Sequence, residues 1–67
     1  MSKTTLAALV NDILNSLGCK MLKIEFNNEG IACIEYTKDG SLIKDMFIAY
    51  RFMKIANLRN KVLSEVM

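Results

Sequence analysis

The stretch that decides the fold is MLKIEFNNEGIACIEYTKDG, residues 21–40. Leu22, Ile24 and Phe26 alternate with Lys23, Glu25 and Asn27; then, after Asn28-Glu29-Gly30, Ala32, Ile34 and Tyr36 alternate with Ile31, Cys33, Glu35 and Thr37. A period of two on both sides of a glycine-bearing break reads as a β-hairpin. A three-residue loop with Gly30 left-handed closes it. That register sets Phe26 opposite Ala32, Ile24 opposite Ile34 and Leu22 opposite Tyr36, with all six side chains on one face. The other face then pairs Lys23 with Glu35, a favourable cross-strand contact. A two-residue loop would set Leu22 against Glu35 and spoil both faces.

Downstream, Asp39-Gly40 signals a second hairpin with a tight two-residue turn. Its register pairs Tyr36 with Ile43 and Ala32 with Phe47 inside. Outside it sets Glu35 against Lys44, Cys33 against Met46 and Ile31 against Ile48, so that Glu35 has a lysine on each side. One residue misfits: Asp45 turns inward opposite Ile34.

The flanks have helical period. Leu6, Leu9, Val10, Ile13, Leu14 and Leu17 form one face of a helix over about residues 4–17. Ser2 or Thr4 supplies its cap and Gly18 its stop. At the other end, Ile48, Phe52, Ile55, Ala56, Val62, Leu63 and Val66 share a face of a helix over about 51–66, with Asn57 as an alternative start. Arg59 falls in the middle of that face and Asp45 is the other charge aimed at the core, so the two are expected to form a buried ion pair. The expectation is a single α+β domain over residues 1–67: a helix, a three-stranded antiparallel meander with strands near 21–27, 31–37 and 42–49, and a second helix, both helices on one face of the sheet.

Composition narrows function by exclusion. The 67 residues contain no His and only two Cys, and the three glycines are isolated. General acid–base machinery, zinc-ligand spacing and a phosphate-cradling loop are therefore all missing from the sequence. Ser2, Ser16, Ser41 and Ser64 have no matching base. The expectation is a non-enzyme with no catalytic residues, no cofactor, no metal and no small-molecule substrate. Cys19 lies six residues before Glu25, which faces Cys33; about 20 Å of strand separates them, too far for a disulfide. No apolar run approaches a membrane span or a signal peptide, so the default is the cytoplasm, or the host cytoplasm if phage-encoded.

Two surfaces stand out. Ile31, Cys33, Met46 and Ile48 form an apolar patch on the outer sheet face, beside a third strand lightly guarded as a sheet edge. Such patches mark protein contacts, here with a partner or with another copy as a homodimer or higher oligomer. The second is the basic face Arg51, Lys54 and Lys61 on the last helix, a candidate for nucleic-acid contact. At a net charge of +2 the chain lacks the strong electrostatic footprint of nucleic-acid binders.

The order helix, three strands, helix resembles that of the double-stranded-RNA-binding domain, with Lys54, Ile55, Ala56 and Asn57 similar to that family's lysine-rich helix start. The resemblance implies RNA contact through that helix. The family's paired lysines and longer first hairpin loop are absent. In size and build the chain also resembles small accessory proteins of phages and mobile elements, including inhibitors of host defence. The leading expectation is stoichiometric binding that regulates or inhibits a larger protein; nucleic-acid binding is the alternative.

Overall fold

The computed structural model describes residues 1–40 and 42–67; the serine that precedes the third strand lies outside them. The order is α1 (Lys3–Ser16), β1 (Cys19–Phe26), β2 (Ile31–Lys38), β3 (Leu42–Ala49) and α2 (Ile55–Val66). The strands form one antiparallel sheet in the order β1-β2-β3. The expected helix–meander–helix architecture is present.

Helix α1 starts where its sequence provides a cap. Ser2 Oγ accepts a hydrogen bond from Thr5 N at 3.1 Å, satisfying one of the amides that a helix start leaves open. Gly18, at φ 76°, ends it in the left-handed conformation. Leu6, Val10 and Leu14, spaced by four, are buried, with Leu9, Ile13 and Leu17 packed alongside.

The first hairpin keeps its expected register from Phe26–Ala32 through Ile24–Ile34 to Lys23–Glu35. Asn27 builds the loop: its Oδ1 accepts from Glu29 N (2.8 Å) and Ile31 N (3.0 Å). Gly30 takes φ 79°, a conformation that calls for glycine, and the exposed Arg51 side chain passes over it.

Beyond Lys23 the sequence reading needs correction. A β-bulge lies between Met21 and Lys23, and Met21, not Leu22, sits opposite Tyr36. The extra residue flips the alternation. Cys19 is thereby buried and Met21 packs on the core, while Leu22 is exposed. The bulge lets β1 follow its inner face past a polar–apolar pattern that an unbroken strand could not satisfy.

Strand β3 is one residue out of its expected phase. Its ladder closes on Lys38–Leu42, one residue wider than a two-residue turn, and runs through Tyr36–Lys44, Ile34–Met46 and Ala32–Ile48. Asp39 (φ 59°) and Gly40 (φ 78°) are both left-handed in the connection. Shifting by one residue reverses every side chain of the strand. Met46 and Ile48 therefore enter the core, at 1% and 0% exposure, and Asp45 faces out with Ile43 and Phe47. The physical reason is the misfit noted above. The other phase buries a carboxylate against Ile34, and an unpaired buried charge costs more than two exposed apolar side chains.

Helix α2 begins at Ile55, not near residue 51, and Lys54 at its N-cap makes no side-chain cap bond. Its buried stripe is Leu58, Val62 and Val66. Phasing from Phe52 and Ile55 fails because Phe52 precedes the helix and is 96% exposed, and Ile55 is 60% exposed. Around the true stripe Arg59 points to solvent. The expected buried Asp45–Arg59 pair is therefore absent: both residues are exposed, and no ion pair joins them among the described residues.

The core is one cluster. Leu6, Val10 and Leu14 of α1 meet Ala32, Ile34, Tyr36, Met46 and Ile48 of the sheet and Leu58, Val62 and Val66 of α2. Phe26 and Tyr50 close one end edge-to-face, with centroids 5.4 Å apart. At the other end β2 holds the last turn of α2: Lys38 Nζ donates to Val66 O at 3.1 Å, and the Tyr36 hydroxyl lies 3.5 Å from Glu65 O.

Two stability measurements check this packing. Leu58→Ala should destabilise by about 2–5 kcal/mol, whereas Phe52→Ala should stay within about 0.5 kcal/mol; urea unfolding reads both. Burial pushes the Tyr36 phenol above its ordinary 10.0, reinforced by the charges that Cys19, Glu65 and Asp45 can carry. The folded protein thus favours the neutral phenol. That contribution is complete below the unfolded value and is lost as pH rises through the folded one. Wild-type stability should therefore fall above about pH 10, and Tyr36→Phe should lack that part of the loss.

Candidate protein-binding face and strand edge

The helices cover only the inner face. On the outer face, cross-strand rows follow from the register. Glu25, Cys33 and Phe47 form one row, and Lys23, Glu35 and Asp45 the next. Ile31 and Ala49 flank the first row; Thr37 and Ile43 extend the second.

The apolar part of this face is not the one expected. Of Ile31, Cys33, Met46 and Ile48, only the first two are on it; Met46 and Ile48 are core residues. The β3 phase replaces them with Phe47 and Ile43, at 60% and 59% exposure. Glu25, Phe26, Asn27, Ile31, Cys33 and Phe47 line a shallow hollow of about 120 Å³. Cys33 is half-buried in it and free; Cys19, also free, is buried in the core.

The charges also rearrange. Lys23 still faces Glu35, but the residue opposite Glu35 on β3 is Asp45, not Lys44. Lys44 sits opposite Tyr36, with its side chain exposed. Lys23 Nζ bonds Glu25 Oε1 at 2.7 Å, and that hydrogen bond with the Glu25 charge holds its pKa above the ordinary 10.5. Among the described residues neither Glu35 nor Asp45 forms an ion pair. Two carboxylates directly opposite on neighbouring strands repel.

Strand β3 is an edge. It has eight residues, pairs only with β2 and carries no bulge. Natural edges of that length are usually broken, covered or heavily charged. Here the strand and its exit expose Leu42 (56%), Ile43, Phe47, Phe52 and Ile55. The sequence signal for this row was present as apolar residues at both parities of β3, which periodicity alone does not resolve.

The basic residues do not make a helix face. Arg51 and Lys54 precede α2, with the Arg51 side chain against Gly30, and Lys61 bonds Glu65 at 2.8 Å. Among the described residues no group of three or more His, Cys, Asp or Glu is placed to hold a metal, and no helix is long and apolar enough to cross a membrane.

No protein-family model, curated protein or solved structure matches this chain.

The repulsion across β2 and β3 has a measurable sign. Asp45→Asn should raise stability by about 0.2–1 kcal/mol in chemical denaturation, whereas a burden-free Asp45 would give a loss or no change.

Proposed function

We propose that the chain is a non-enzymatic binding module that acts by stoichiometric contact with a larger protein, as a regulator or inhibitor. The observation that carries this reading is the exposed apolar pair Ile43 and Phe47 on the outer face of the open strand β3, beside Ile31 and Cys33. Ile43 and Phe47 are each about 60% exposed, whereas thirteen of the described apolar residues pack into the core at 5% exposure or less. Scattered exposed apolar residues are ordinary, but two large ones on the same face of an open edge strand, next to an apolar hollow, are what interaction surfaces present. Arg51 and Lys54 lie before α2 and Lys61 is bonded to Glu65, so the three do not form the single basic helix face that phosphate binding would draw on, which favours a protein partner over a nucleic acid.

Phe47 is the anchor of this surface. It is the largest side chain of the row that sits within the strand itself, and it borders the hollow beside Ile31 and Cys33. Aromatic side chains in such positions carry much of an interface's energy. Phe47→Glu should abolish capture of the partner from cells of the source organism, while Arg59→Glu, on the exposed side of α2, should leave it intact. Affinity capture with quantitative mass spectrometry compares the three proteins, after unfolding curves confirm that each is folded. Equal capture by Phe47→Glu and wild type would overturn the reading.

A further inference from the structure

The ladder tells which backbone groups of β3 are open. Tyr50 N donates to Gly30 O at 3.2 Å, and the β2–β3 register continues from that pair. Hydrogen-bonded pairs alternate along an antiparallel ladder. The even-numbered residues of β3 therefore turn their N–H and C=O groups to β2. Ile43, Asp45, Phe47 and Ala49 turn theirs to the open side, and these same residues carry their side chains on the outer face.

A fourth strand would place its own side chains opposite those residues. Opposite Ile43 and Phe47, both about 60% exposed, apolar side chains gain contact. Opposite Asp45 the requirement is a cation. Asp45 already faces Glu35 across the ladder, and Lys23, the nearest outer-face cation in that row, is bonded to Glu25. A positive charge on the far side of Asp45 would relieve a repulsion the free protein carries.

A second copy paired through its own β3 does not meet this requirement. In an antiparallel β3–β3 pair, open-side residues face open-side residues, so Asp45 meets Ile43, Asp45, Phe47 or Ala49 of the other copy. Lys44 belongs to the other parity and never comes opposite it. The register that matches Ile43 with Phe47 twice places the two Asp45 side chains directly against each other.

Resting on the binding reading above, we infer that β3 accepts an antiparallel strand from its protein partner, with a lysine or arginine opposite Asp45 and apolar residues two positions to either side. Backbone bonds supply affinity and the alternate side chains supply selection, as in other cases of strand addition.

Two end-blocked nine-residue peptides test this. Both alternate threonine with an outer-facing trio, valine–lysine–valine in one and valine–glutamate–valine in the other. Each is titrated to millimolar concentration into the full chain and followed by amide NMR and hydrogen exchange. The lysine peptide should bind about five- to tenfold more tightly, and the preference should invert in Asp45→Lys. Binding should slow exchange of the Ile43, Asp45 and Phe47 amides. Absence of binding by either peptide, equal affinity, no inversion, or protection elsewhere would each overturn the inference. So would sedimentation of the free chain as a dimer in which those amides are already protected. Equal affinity together with loss of capture by Phe47→Glu removes only the basic strand; unchanged capture by Phe47→Glu removes the binding reading itself.

Discussion

The rest of the structure depends on the phase of one strand. β3 offers two sets of apolar side chains, Ile43 with Phe47 and Met46 with Ile48, and only one set can face the helices. Asp45 shares its parity with the first set. Burying that set would bury the carboxylate too, and among the described residues no charged side chain is buried to meet it. Met46 and Ile48 therefore complete the core, and Ile43 and Phe47 remain outside. The phase that satisfies the interior creates the surface, so the exposed row along the open edge and the packed core share one cause.

This coupling explains which parts of the fold could be read from the residues. In α1 the apolar spacing, cap and glycine stop agree, and the helix forms where they place it. The first hairpin was legible from Phe26 to Lys23 because apolar and charged residues alternate without conflict and Asn27 and Gly30 fix the loop. Asp39-Gly40 gave a turn but not its width. With apolar residues at both parities of β3, periodicity fits either width of turn, and only Asp45 distinguishes them. The odd placement of that residue was the signal, and the register needed to move rather than the charge to find a partner.

The phase of α2 is hidden in the sequence for a related reason. Phe52 and Ile55 look like core residues on any hydropathy scale, and anchoring a helix on them swings Arg59 inward. The structure anchors on Leu58, whose spacing to Val62 and Val66 is the repeat of α1 over again. The expected outer-face patch follows the strand phase alone: with β3 shifted by one residue, Met46 and Ile48 leave that face for the core. Ile31 and Cys33, fixed by the correctly read hairpin, stayed where they were placed.

The bulge in β1 bears on how the chain can change. Removing one residue from a strand ordinarily inverts everything on one side of the gap. At Leu22 it would do the reverse: Met21 would adjoin Lys23, and Met21–Tyr36, Lys20–Thr37 and Cys19–Lys38 would continue the ladder without interruption. The pattern of inward and outward side chains is the same with or without that residue. A single-codon deletion, disruptive at nearly every other strand position, would here leave the inward and outward pattern of β1 unchanged.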